Sequence, residues 1–313
     1  MKKQESYGKF DFVGKSVFFG GVSGILVIVS LIYLAVHGIS WGIDFLGGTE
    51  MQVRFESPVK IDELRTLVDK QGLVNPGLQG FGDDKEYIIR FQLPSKGTEK
   101  EINQISRANI ERLKSALSQQ FASQKPEFRR VDSVGPQVGA ELKKNGFLSV
   151  FYCLLIILIY IGLRFDYKYS PGAVVCLFHD AVITLAIFVL VGKEVNIPVL
   201  AAILTLIGYS LNDTIVVFDR IRETEGHFAD RGIRFIINKA INEMLQRTII
   251  TSGTTLTSAL ALWLLTDGVV ADIAFALVIG IVFGTYSSIY VAAPFVMLLD
   301  KGADKKLVQA HSA

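Results

Sequence analysis

Cysteine is nearly absent. Among 313 residues there are two, Cys153 and Cys176, and both fall inside long apolar runs. A thiol in such a run behaves as a small apolar packing residue, so neither is read as a disulfide partner or a metal ligand. The longest polar stretch, 38–146, has no cysteine at all and must hold together by its own core. It also lacks any His, Cys or Ser arrangement with catalytic spacing, which points to a binding or mechanical role and away from an enzyme. A dominant charge of one sign is missing too: the stretch carries 16 basic and 15 acidic residues, so it offers no electrostatic footprint for nucleic acid. No cofactor and no metal are expected.

What the chain has in abundance is apolar sequence. Half of its residues are hydrophobic, the mean hydropathy is +0.40 and the formal net charge is +2. Six segments are long and apolar enough to cross a bilayer: 17–37, 147–163, 172–192, 197–218, 248–266 and 271–299. The first is too long for the apolar core of a signal peptide and ends in YLAVHG without a small-x-small cleavage site, so it is expected to be retained as a helix. Lys and Arg in short loops are held on the cytoplasmic side. Fifteen lie in the N-terminal tail, the 164–171 loop, the 219–247 segment and the C-terminal tail, whereas the short loops on the other side carry only Lys193. Both termini are therefore expected in the cytoplasm and 38–146 outside it. The expected organisation is a tail over 1–16, a first span over 17–37, an outer α+β domain over 38–146, spans two to six over 147–299 and a tail over 300–313.

The outer stretch alternates periodicities. TEMQVRFE (49–56) puts Met51, Val53 and Phe55 on one face of a strand, and IDELRTLVDKQG spaces Ile61, Leu64, Leu67 and Val68 as a helix with Gly72 as its stop. GLQGFG (77–82) and EYIIRFQL (86–93) read as strands separated by an Asp-Asp turn. A helix from Thr98 to Phe121 is expected to bury Ile102, Ile105, Leu113 and Leu117, and EFRRVDSV (127–134) supplies the last strand. The order β-α-β-β-α-β suits a ferredoxin-like sandwich with both helices on one face and the other face open to a partner.

Polar residues inside the apolar runs are the candidate functional ones. IGYSLNDTIVVFDR (207–220) places Asp213 within a span, where a charged side chain costs about 2.5 to 3.5 kcal/mol on insertion scales. On the same span Thr205, Tyr209, Asn212, Val216 and Arg220 share one helical face, with Asp213 at its margin. The fifth span carries a second stripe of Arg247, Thr251, Thr254, Thr255 and Ser258. Polar stripes on neighbouring helices must face protein or water, and hydroxyl-bearing faces also occur simply as helix contacts. His179 and Asp180, read as lying near the end of the third span, are expected to support this seam without being the relay. The segment 228–247 spaces Ile233, Ile236, Ile237, Ala240, Ile241, Met244 and Leu245 opposite Arg231, Arg234, Lys239 and Glu243, as in an amphipathic helix on the cytoplasmic surface. Gly20 with Gly24, and Gly280 with Gly284 and Ser288, form small-xxx-small faces that let helices approach closely.

Four stretches, GIDFLGGTE (42–50), VGPQVGAELKKNG (134–146), GYSLNDTIVVFDRIRE (208–223) and NEMLQRTIITSGTT (242–255), together with six spans and a long first loop, resemble the SecD/SecF family of bacterial protein-export proteins within the RND transporter superfamily. The resemblance covers nearly the whole chain and is to the SecF side of the family. It implies an α-helical membrane protein with six transmembrane helices, an RND-type half, and a ferredoxin-like extracytoplasmic domain between the first and second helices. It further implies residence in the inner membrane, pairing with SecD, association with the SecYEG channel and with YajC and YidC, contact with translocating polypeptides and membrane lipid, and use of proton flow in export. On this resemblance Asp213 and Arg247 belong to the proton pathway. Two other readings remain: a proton-coupled small-molecule exporter of the same superfamily, and an intramembrane aspartyl protease using Asp180 and Asp213, which needs two facing acids sharing one proton.

Overall fold

The computed structural model describes residues 6–94, 97–165 and 167–299; the tail expected over 300–313 lies outside them. The chain opens with a long helix, α1 (Phe12–His37), and a single turn, α2 (Ile43–Leu46). A small α+β unit follows as β1 (Gly48–Arg54), α3 (Ile61–Asp69), β2 (Val74–Phe81), β3 (Asp83–Gln92), α4 (Glu99–Gln120) and β4 (Glu127–Val134). The rest is helical: α5 (Pro136–Arg164), α6 (Ser170–Leu190), α7 (Ile197–His227), α8 (Ile233–Leu265), α9 (Gly268–Ser287), a π-helical stretch over Ser288–Ala292 and α10 (Ala293–Leu299). Six helices are long and apolar enough to cross a membrane, the last formed by α9 to α10.

The sheet order is β2-β3-β1-β4 with every neighbouring pair antiparallel, the split βαβ arrangement that the element order predicts. Met51 and Val53 on β1 and Phe55 just after it pack with Tyr87, Ile89 and Phe91 on β3 against Leu64, Leu67 and Val68 of α3 and Leu113 and Leu117 of α4. Thr98 and Glu101 form a capping box that starts α4. Ile105, expected in this core, is exposed. Its neighbour Ser106 is buried instead, sharing hydrogen bonds with the hydroxyls of Thr49 and Ser133.

The polar face of the sheet is not free. It overlooks the α6–α7 and α8–α9 turns across a cleft of about 790 Å³ lined by Glu50, Gln52, Arg90, Lys193, Glu194 and Asp272. Arg90 bridges it, paired with Glu50 at 2.7 Å and with Glu194 at 3.2 Å. The chain entering the domain is bonded to the α6–α7 turn: Val195 N–H donates to the Ser40 carbonyl at 2.7 Å, Gly42 N–H to the Val195 carbonyl at 2.8 Å, and Ile197 N–H at the start of α7 to the Asp44 carboxylate at 2.9 Å. An acid at a helix N-terminus answers an otherwise orphaned amide and the helix dipole.

In the helical part, 61% of the most apolar window of α6 is buried against 11% of that of α1, so α6 is central and α1 peripheral. The small-xxx-small faces divide accordingly. A Cβ at Gly280 would overlap Leu206 of α7 and one at Gly284 would press on Ser210, so this face is a helix contact. Gly20 and Gly24 have nothing within 4 Å of a Cβ, and the face expected to pack on α1 lines a cavity instead.

The segment 228–247 is not a separate surface helix. From Ile233 onward it is continuous with the fifth span as α8, and Ile233, Ile236, Ile237, Ala240 and Ile241 are in the main core. The polar anchor is Asn238, whose carboxamide oxygen accepts from Phe12 N–H at 2.8 Å and Val13 N–H at 3.0 Å while its amide donates to Asp11. It thus caps α1 from another helix.

Two outcomes follow from these junctions. Gly47 has φ +76° and a Cβ there would lie 2.6 Å from Pro136 Cα, whereas Gly72 has φ +65° and nothing within 4 Å. The left-handed backbone alone costs about 1–2 kcal/mol for a residue with a Cβ. Gly72→Ala should therefore lower the melting temperature of the purified protein modestly and Gly47→Ala by clearly more; equal shifts would contradict the overlap at Pro136. The second outcome concerns acid. The Gly14 amide, then Asn238, hold the Asp11 carboxyl below its ordinary range. A depressed folded-state value contributes stability above the unfolded pKa of about 3.9 and loses it as pH falls through the folded value. Amide exchange at Gly14 should accelerate, relative to the rest of α1, only below about pH 4; Asn238→Ala, which leaves the buried amides of Phe12 and Val13 unpaired, should produce the same fraying at neutral pH.

Candidate functional site

Asp213 lies on the α8 side of α7 and is 4% exposed. Its one side-chain hydrogen bond among the described residues comes from the Ser252 hydroxyl of α8 at 2.9 Å. Ser252 is buried and stands beside the hydroxyl stripe of that helix, off the face that the 247, 251, 254, 255, 258 spacing picks out. Sequence reading missed it because a serine next to a threonine stripe carries no periodic signal of its own.

The stripe residues mostly answer their own helix. Thr251 donates to the Arg247 and Thr248 carbonyls, Thr254 and Thr255 to the Thr251 carbonyl, and Ser258 to the Thr254 carbonyl. Tyr209 joins the two helices, its hydroxyl lying 3.0 Å from Thr255 Oγ1 and 3.1 Å from the Thr251 carbonyl, as Arg220 does further along through Glu243. Thr205 bonds the Ala201 carbonyl of its own helix. Asn212, Thr254 and Ser258 are exposed.

Arg247 is exposed, at the wall of a cleft that also holds Arg164, Asp219, Arg220 and Glu223. It forms no ion pair with Asp213 within 4.0 Å. Arg220, by contrast, is held by Glu243 and Glu223, at 2.6 Å each. The structure therefore separates the two arginines of the seam: Arg220 is bound into a carboxylate pair, and Arg247 has no carboxylate on it among the described residues.

His179 and Asp180 do not lie at a helix end. They are the tenth and eleventh residues of the 21-residue α6 and are 2% and 0% exposed. Asp180 gathers the three central helices: one carboxylate oxygen accepts from Ser210 of α7 and from Ser287 of α9, and the other meets His179 Nδ1 at 2.8 Å. Cys176, expected only to pack, donates to the Ser287 hydroxyl at 3.0 Å. Ser210, Ser287 and Cys176 went unremarked in the sequence as polar groups, since nothing in the spacing of one helix shows what the neighbouring helix places opposite. Asp180 and Asp213 make no hydrogen bond to one another; each has its own hydroxyl partners on a different side of α7.

Residues 113–302 match the family model described as protein export membrane protein SecD/SecF, C-terminal, and residues 32–59 match the SecD/SecF GG motif, which falls on the Gly47–Gly48 junction. The chain is 44% identical over 276 residues to the protein translocase subunit SecF of Desulfurispirillum indicum, covering 87% of this chain and 86% of that one. It is 36% identical over 310 residues to the SecF subunit of Escherichia coli O157:H7, covering 98% and 94%. In three dimensions it is similar to the crystal structure of SecDF, a translocon-associated membrane protein, from Thermus thermophilus, with a TM-score of 0.80 at 32% identity. That likeness covers 93% of this chain and 38% of the SecDF chain. A second likeness, to SecDF in a super-membrane-facing form, has a TM-score of 0.69 at 31% identity and covers 97% and 40%.

The geometry around Asp213 makes a distinction that stability measurements can read. Ser252→Ala removes the one hydroxyl that donates to a buried carboxyl group, a loss of about 1–3 kcal/mol. Ser258→Ala removes an exposed hydroxyl bonded to its own helix and should stay within about 0.5 kcal/mol of the parent. Thermal unfolding of the two purified variants should rank them in that order, and equal effects would remove Ser252 from the site.

Proposed function

The chain belongs to the SecD/SecF family of protein-export membrane proteins, with the SecF subunits of the protein translocase, and on that premise we propose that it pairs with a SecD subunit to couple proton flow to polypeptide export. On this reading it sits in the inner membrane with both termini cytoplasmic and the sheet domain on the outer side, an orientation that the distribution of Lys and Arg supports. It works beside the SecYEG channel, with YajC and YidC as further neighbours.

One observation carries the assignment of the proton pathway: Asp213 is buried midway along α7 with a single hydroxyl donor among the described residues, and Arg247, the arginine of the seam that no described carboxylate holds, is not bonded to it. An intramembrane carboxyl with so few partners is a functional group by default. An arginine that comes and goes changes how favourable the ionised carboxylate is, which lets the site load and release a proton. Each charge that crosses a potential of 100 mV makes about 2.3 kcal/mol available, enough to bias the sheet domain between two positions. The exposed polar residues Asn212, Thr254 and Ser258 beside the site are the surface that SecD covers. The sheet domain acts as a lever, linked to the bundle by the 38–48 segment and the Arg90–Glu194 pair.

Asp213→Asn tests this directly, because it keeps size and most hydrogen bonding but cannot ionise. In cells depleted of the chromosomal copy, secretion of a reporter should fail while the amount of complex in the membrane stays normal. Arg247→Met should give the same phenotype. Normal secretion by Asp213→Asn would leave the residue a helix-packing group and end the proposal.

A further inference from the structure

The Asp180 cluster has a property that the seam does not explain. Its acceptor pattern suits a carboxylate: two hydroxyls, from Ser210 and Ser287, donate to one oxygen and His179 Nδ1 faces the other at 2.8 Å. With Nδ1–H donating to Asp180, Nε2 carries the lone pair. That atom is buried and has no hydrogen-bond partner among the described residues. His179 also lines a cavity of about 580 Å³ between α1, α6 and the last helix, whose walls include Ser16, Gly20, Ser23 and Gly24 of α1 and Tyr290 and Pro294. The cavity begins near the first turn of α1 and the end of α10 and reaches the middle of α6.

Among the described residues, no Lys, Arg, Asp or Glu lines that cavity. The groups shown beside the imidazole are Asp180, bonded to Nδ1, the ring of Tyr286 6.2 Å away and that of Phe283; Ser210 and Ser287 reach Asp180, Cys176 and Thr214 lie behind that cluster, Tyr290 lines the cavity wall, and the polar groups α1 adds to the cavity are the hydroxyls of Ser16 and Ser23. Tyr286 is engaged, donating to the Phe19 carbonyl and accepting from Ser23. A carboxylate buried at mid-membrane with no lysine or arginine beside it has one available counter-charge, the imidazolium of its neighbour.

We propose that His179 is a second proton-binding site of this protein, Nε2 taking a proton that enters through the cavity between α1, α6 and α10 while Asp180 holds the resulting imidazolium. A hydronium ion that enters the cavity breaks one O–H bond, leaves as water and gives its proton to form the Nε2–H bond; Asp180 keeps its charge, and the pair goes from one net negative charge to none. The same proton can return by the same route. This site does not rest on Asp213 or Arg247 being a proton pathway, because its occupancy is read at the imidazole itself.

The chain has four histidines, His37, His179, His227 and His311, so the imidazole nitrogens can be resolved by NMR of the full-length protein, labelled with ¹⁵N-histidine and reconstituted in lipid nanodiscs. His179→Gln identifies the His179 signal by its loss. The expected result is an imidazole that gains a proton at Nε2 as the pH is lowered, with proton affinity lowered about tenfold or more in Asp180→Asn, as loss of an adjacent anion requires. Ser210→Ala should move the midpoint the other way, since the carboxylate loses a donor and its charge falls more fully on the imidazolium; this arm stands even if Asp180→Asn does not accumulate. A His179 signal that keeps one protonation state at every pH at which the protein stays folded, or a midpoint that does not rise in Ser210→Ala, overturns the proposal.

Discussion

The carboxylate of Asp180 is the point through which the central helices hold one another. It lies on α6, has no exposure, and takes one hydroxyl from α7 and one from α9. In surroundings without water each of these polar atoms must be answered from within the protein. Sliding any of the three helices by one residue would strip the carboxylate and strand the hydroxyls, so the cluster sets their register as well as their proximity. Glycine makes the approach possible: a side chain at Gly280 would overlap Leu206, and one at Gly284 would press on Ser210 and Asp180. The π-helical stretch begins at Ser288, directly after the serine that bonds Asp180. A π-turn of this kind re-aims the residues that follow it, which carries the last helix onto the bundle.

The sheet domain depends on that bundle through a small junction. Strand-like bonds between 40–42 and Val195, the Asp44 cap on α7, and the close approach of Gly47 to Pro136 tie the domain's entry and exit to helix ends. Away from this junction the domain meets the bundle through the Arg90–Glu194 pair across the cleft and through the Phe81 ring against Gly268, with the Lys193–Asp272 pair on the bundle side; partly exposed pairs of this sort contribute little stability each.

The two membrane acids differ in how completely the chain satisfies them. Asp180 is enclosed by groups of this protein, whereas Asp213 has one donor and borders a surface where Asn212, Thr254 and Ser258 are exposed. A polar stripe on the outside of a membrane helix is costly in lipid and calls for another protein against it. The likeness to SecDF chains more than twice as long as this one fits that reading, since this chain is similar to only part of them.

Much of this was legible from the sequence. The six apolar runs correspond to the six membrane-length helices, because hydrophobic length is a local property that no tertiary contact can alter. The β-α-β-β-α-β order came from periodicities of two and 3.6, and it constrains the sheet to a small number of topologies. Asp213 was found for the same reason: a carboxylate in an apolar run is anomalous wherever the run ends up. What the sequence could not decide is who meets whom across helices. Ile105 and Ser106 exchanged their expected places by one step of helix rotation, Asn238 proved to cap a helix more than two hundred residues away, and Ser252 took the contact with Asp213 that the threonine stripe seemed to offer. Asp180 lost its place at a helix end and became a hub. Each of these depends on the rotation and register of two helices relative to one another, and a hydroxyl or a small side chain carries no mark in one dimension of the partner that stands opposite it in three.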